Sequence, residues 1–129
     1  MEETLKYYQY SPLALAYVGD SIMDLMVKAH VVSHDNMQVE KYHKIVSGVV
    51  CAKNQAAYVD AHIDTFSEEE IDVYKRGRNA SVHTKAKNAS MAEYKKATGF
   101  EAVLGFLYLT GNRERLEEII KGVLEEAGL

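Results

Sequence analysis

The chain is poor in the residues that staple or punctuate a fold. One cysteine, Cys51, excludes an internal disulfide, and it stands in the apolar run Val49-Val50-Cys51-Ala52, where a thiol is expected to pack rather than react. No stretch reaches the roughly 18 uninterrupted apolar residues of a membrane span, so a membrane role is not expected. The start, Met1-Glu2-Glu3-Thr4-Leu5-Lys6, places two acids where a secretion signal has basic residues and then an apolar core, and the expected location is the cytoplasm. The five histidines lack the spacing of zinc ligands. Any metal would therefore be held by oxygen, which points to magnesium or manganese. Strand-like alternation, internal repeats and linker-like stretches are also missing.

What is present describes an all-α helical bundle in one domain, residues 1–129, a length that suits a single core. The only proline follows Ser11, and Ser-Pro is a strong helix opening because serine caps free amides and proline takes the first helical position. The helix that starts there is expected to run to about His34. Its residues Leu15, Val18, Ile22, Leu25, Met26 and Ala29 form one apolar face, and Leu13, Ala16, Tyr17, Val27 and Val31 make the other side mostly apolar too. That pattern predicts a central helix buried on most sides. A second helical region covers about Met37 to Ile63, with Ser47-Gly48 as a candidate break.

Two segments, Ser67 to Glu70 and Ser90 to Glu93, have capping-box spacing. The first opens a short helix expected to end near Arg76-Gly77, followed by an exposed loop from Arg78 to Asn88. The second opens a core helix running to Leu109, and Asn112 caps a last amphipathic helix through Leu116, Ile119, Ile120, Val123 and Leu124.

The net charge of −4 is unevenly spread. Lys75, Arg76, Arg78, Lys85, Lys87, Lys95 and Lys96 oppose only Glu93 between positions 75 and 96, which gives +6 there and leaves −10 elsewhere. Such asymmetry suits either a basic patch for a polyanion on an acidic body or a solvated loop.

Two acids interrupt the apolar core helices: Asp20, with Asp24 one turn later, and Glu101. A buried carboxylate is unfavourable by several kcal/mol (on the order of 3 to 5) unless it is paired or bound to a cation. Acids on facing helices therefore indicate either a shared ion or internal salt bridges, and spacing alone leaves both open.

The segment Leu15-Ala16-Tyr17-Val18-Gly19-Asp20-Ser21 resembles the signature of the ribonuclease III family, in which a Leu-Gly-Asp-Ala/Ser stretch presents a catalytic aspartate. Phe100-Glu101-Ala102-Val103-Leu104-Gly105-Phe106-Leu107-Tyr108-Leu109 resembles the family's second motif, whose glutamate binds magnesium. Arg76-Gly77-Arg78-Asn79-Ala80 and the stretch around Lys53-Asn54-Gln55 are similar to the short bacterial branch, Mini-ribonuclease III, which has no double-stranded RNA-binding domain. Longer relatives carry further acids where this chain has Ala16 and Thr98, so waters or Thr98 are left to complete the metal's shell, and one-metal versus two-metal catalysis stays open.

The resemblance implies a magnesium-dependent endoribonuclease, with manganese able to substitute, that cuts double-stranded RNA and leaves 5′-phosphate ends. Asp20 and Glu101 would be both the catalytic and the metal-binding residues. Arg76, Arg78, Asn79, Lys85 and Lys87 would bind RNA. Tyr17 would lie at the interface of a homodimer, or else be an ordinary core tyrosine. The implied substrate is the 23S ribosomal RNA precursor at its base-paired ends, and whether a ribosomal protein helps present it is left open. Two rival readings fit the same residues: a catalytically inactive double-stranded RNA-binding protein of the same fold, and a helical dimer acting as a protein adaptor.

Overall fold

The computed structural model describes residue 6, residues 9–81 and residues 90–129. Among them the architecture is all-α: α1 Pro12–His34, α2 Val39–Val49, α3 Ala52–His62, α4 Glu68–Ala80, α5 Met91–Leu109 and α6 Arg113–Glu126, with a short 3-10 turn at Ile63–Thr65 after α3. No helix is long and apolar enough to cross a membrane among the described residues.

Local chemistry explains most of the boundaries. Ser11 caps α1 by accepting from the Ala14 amide at 3.3 Å, with Pro12 in the first turn. Ser67 and Ser90 form reciprocal capping boxes with Glu70 and Glu93, and Asn112 caps α6. The break between α2 and α3 falls at Val50-Cys51, three residues beyond the expected Ser47-Gly48. A different correction concerns α4, which runs through Arg76-Gly77 to Ala80 and so converts the start of the expected loop into helix. Gly77 is tolerated there because it packs against Gly99 and Ala102 of α5.

The central helix is α5, not α1. Every residue of α5 from Ala97 to Leu107 except Glu101 is buried, and the helix packs against α1, α4, α3 and, less extensively, α6. Full burial of a side chain such as Phe100 or Leu104 contributes about 1.5 to 3 kcal/mol. In α1 the buried stripe is Leu15, Ala16, Gly19, Met23, Val27 and Val31, which draws from both expected faces. Tyr17 (80% exposed), Leu25 (63%) and Val32 lie in the open, so α1 is not buried on most sides within one chain. Its all-round apolarity covers more surface than this core uses.

Two glycines govern how close α1 and α5 come. A Cβ on Gly19 would lie 1.7 Å from the Glu101 carbonyl oxygen, and one on Gly105 would lie 1.9 Å from that of Leu15. The two backbones are in direct contact, and no side chain could relax to make room. Gly105→Ala is expected to lower unfolding stability by about 3 kcal/mol or more, at the upper end of overpacking, as read from urea denaturation.

Candidate active site

The crossing of α1 and α5 delivers two acids to one place. Asp20 follows Gly19 in α1, and Glu101 is the α5 residue whose backbone Gly19 touches. Their carboxyl groups lie close enough to interact, and that of Asp20 raises that of Glu101. They line a cleft of about 520 Å³ between α1, α3 and α5, to which Tyr17, Gln55 and Thr98 also contribute.

The two acids differ in environment. Asp20 is exposed, so its carboxylate is not the buried charge that its place in a core helix suggested. Glu101 is largely buried, and burial raises its carboxyl from the ordinary 4.5 to about 8; the neighbouring Asp20 carboxyl adds to the rise, and the Gln55 amide opposes it. A pair so arranged favours a cation, because a divalent charge offsets both the desolvation of one carboxylate and its repulsion by the other.

The neighbouring polar groups complete the picture. Gln55 is 2% exposed. Its Nε2 donates to the Val50 carbonyl at 3.0 Å, and its Oε1 is buried with no hydrogen-bond partner among the described residues. The Thr98 hydroxyl donates to the Tyr94 carbonyl at 3.0 Å and accepts from the Ser81 hydroxyl at 3.3 Å. Among the described residues no group of three or more His, Cys, Asp or Glu converges on one point, so the acidic component of the cleft is the pair itself. Two neighbouring carboxyls and an orphaned amide oxygen in one cleft form a set of hard oxygen donors, which fits magnesium or manganese. Cys51, exposed at the start of α3 and not packed as its apolar neighbours suggested, lines the same cleft. Asp24 is outside it and pairs with Lys28 at 2.8 Å.

The other candidate residues are less uniform. Arg76 is half-buried and turned inward, its Nη2 donating to the Tyr10 carbonyl at 3.3 Å. Arg78 is half-exposed with its guanidinium over the Tyr74 ring, 5.5 Å from the centroid, and Asn79 is exposed beside it. Both sit in the last turn of α4, and the Ser81–Thr98 hydrogen bond ties that helix end to the cleft. Lys85 and Lys87 lie outside the described residues. Tyr17 projects outward at the cleft's rim, which excludes an ordinary core tyrosine within one chain. Gln55 was visible in the sequence as part of a motif but carried no role, since nothing there showed that it would be buried beside Glu101.

The fold is all-helical, and it sets two carboxyl groups beside one open cleft. The chain belongs to the ribonuclease III family: the Ribonuclease III domain matches residues 13–112. It is 43% identical to Mini-ribonuclease 3 of Enterococcus faecalis, over 95% of this chain and 94% of that protein. Similarity to the Mini-ribonuclease 3 of Staphylococcus aureus is 40% identity, over 88% of this chain and 87% of that protein. A crystal structure of a protein from Fusobacterium nucleatum superimposes with a TM-score of 0.88 at 30% identity, covering 95% of this chain and 98% of that one. The chain is thus an endoribonuclease of a family that depends on divalent metal and acts on double-stranded RNA.

The raised Glu101 carboxyl makes stability depend on pH. Between about 4.5 and about 8 the folded protein retains a proton that the unfolded chain has released, so the metal-free protein loses stability as pH rises through that window. Glu101→Gln is expected to remove the loss, making the metal-free variant more stable than wild type at pH 8 by about 1 to 3 kcal/mol, with the gap closing at pH 5. Thermal unfolding in a chelator at the two pH values measures it.

Proposed function

We propose that the Asp20–Glu101 cleft is the catalytic centre and that it hydrolyses phosphodiesters of a base-paired ribosomal RNA precursor. The observation that carries this reading is the meeting of the two acids at the α1–α5 crossing, in a cleft open enough for a phosphate. Asp20 and Glu101 would hold magnesium, or manganese in its place, which supplies polarisation of a phosphate oxygen and acidification of water. Asp20, open to solvent, orients the attacking water and takes its proton. The water oxygen bonds to phosphorus, the bond to the 3′ oxygen breaks, and that oxygen leaves with a proton. The products carry 5′-phosphate and 3′-hydroxyl ends.

RNA grip is assigned to the end of α4 and the residues after it. Duplex RNA offers a protein its phosphates, 2′-hydroxyls and shape more than its base edges. Arg78 and Asn79 face solvent at the helix end tied to the cleft, and Lys85 and Lys87 would add charge. Arg76, turned toward Tyr10, anchors the start of α1 rather than reaching RNA. A twofold dimer through the exposed apolar side of α1, with Tyr17 in the contact, would set two cleavage sites against antiparallel strands and cover the surface that one chain leaves open.

Asp20→Asn and Glu101→Gln are each expected to reduce cleavage of a base-paired ribosomal precursor in magnesium by more than about 100-fold while leaving RNA binding intact. Binding by wild type and both variants, with cleavage by none, would favour the catalytically inactive reading. In the Glu101→Gln background, Arg78→Glu should weaken duplex binding and reduce its salt slope by about 1, measured by fluorescence anisotropy across a salt series. Arg76→Glu should instead lower the melting temperature. Sedimentation of Tyr17→Asp should show a shift from dimer to monomer.

A further inference from the structure

Gln55 remains unexplained by packing alone. It is 2% exposed, whereas the other fully buried polar residues among those described have evident partners: Glu70 holds its capping box and a two-pronged ion pair with Arg115 at 3.0 and 3.1 Å, and Thr98 bonds to Tyr94 and Ser81. Among the described residues the one other buried side-chain atom without a partner, Arg76 Nη1, belongs to a guanidinium already held by the Tyr10 carbonyl and lies away from the cleft. An aliphatic residue would fill the Gln55 position without leaving an amide oxygen stranded. A buried amide oxygen without a partner is unfavourable by about 1 to 3 kcal/mol. Such an atom in a native fold calls for an occupant that the protein alone does not provide.

The identity of that occupant follows from the neighbours. The amide is fixed in orientation, because Nε2 donates to the Val50 carbonyl at 3.0 Å and only Oε1 remains as an acceptor. The residue lines the same cleft as Asp20 and Glu101. Two positions that could have added oxygen to this site do not. Ala16 has no polar atom, and the Thr98 hydroxyl is engaged by the Tyr94 carbonyl and Ser81. The remaining cleft thiol, Cys51, is a soft donor unsuited to a hard cation.

We infer that Gln55 supplies the third protein oxygen of the divalent-cation site, its Oε1 acting with Asp20 and Glu101 either on the ion or through one of the ion's waters. This rests on the reading of the Asp20–Glu101 cleft as the metal centre. A neutral oxygen at this point has a physical advantage over a third acid: it adds to the cation's shell without adding repulsion to a pair in which Glu101 is already hard to ionise.

The test is manganese binding to the intact, RNA-free protein, followed by electron paramagnetic resonance of free Mn²⁺, for wild type, Glu101→Gln, Gln55→Leu and Gln55→Glu. Circular dichroism and melting in a chelator establish that each variant is folded. Gln55→Leu should weaken Mn²⁺ binding by about 10-fold or more. Gln55→Glu, which keeps an oxygen but loses the N–H donated to Val50, should bind at least as tightly as wild type. If Gln55→Leu binds Mn²⁺ as well as wild type, the inference is overturned while the metal reading of the acids stands. Equal weakening in Gln55→Leu and Gln55→Glu would also overturn it, because the bond to Val50 would then be what matters. Unchanged binding in Glu101→Gln would overturn the reading of the acids themselves.

Discussion

The close approach of α1 to α5 governs the rest of the molecule. Gly19 lies against the Glu101 carbonyl and Gly105 against that of Leu15, so each helix presses its backbone into the other where a side chain would ordinarily stand. Two consequences follow from this one contact. The core around it becomes tight enough to bury α5 almost completely from Ala97 to Leu107. And Asp20, next to Gly19, is brought to the carboxyl of Glu101. With a larger residue at either glycine the helices would have to separate, and the acids would separate with them.

The site is therefore built from rigid elements rather than loops. Asp20 stands on α1, Glu101 on α5 and Gln55 on α3, and all three helices meet at the same core. Rigidity suits the proposed centre, which would hold a cation and a phosphate in fixed relation, because reorganisation during the reaction then stays small. The asymmetry between the acids serves the same end. Glu101, largely buried, needs positive charge to ionise fully at neutral pH, while Asp20 faces solvent where a water can approach it. One acid is thus suited to holding charge and the other to handling a proton.

Much of the fold was legible because its helix ends are written in short-range chemistry. Ser11-Pro12, the Ser67–Glu70 and Ser90–Glu93 boxes and Asn112 each satisfy amides within one turn, and the structure keeps all four. The end of α4 was misread because Gly77 looks like a stop signal. Its lack of a side chain instead lets α4 lie against Gly99 and Ala102, so a tertiary contact overrode a local preference. The faces of α1 were misassigned for a related reason. Periodicity ranks apolar residues but does not say which of them meet the core: the buried stripe takes Leu15 from one expected face and Ala16, Val27 and Val31 from the other, and Tyr17 and Leu25, one from each, are left to another surface.

The amino-acid order by itself determined the helical class, the caps and the two motifs that carry Asp20 and Glu101, because these depend on neighbours a few residues apart. Only the tertiary structure decided that Asp20 would be exposed and Glu101 mostly shielded, that Arg76 would turn toward Tyr10 while Arg78 stayed over Tyr74, and that Gln55 would line the cleft of the acids with a bare oxygen. Exposure, desolvation and the lack of a partner are properties of how distant segments share space. No single stretch of chain encodes them, since each is set by which atoms arrive from elsewhere when the helices pack.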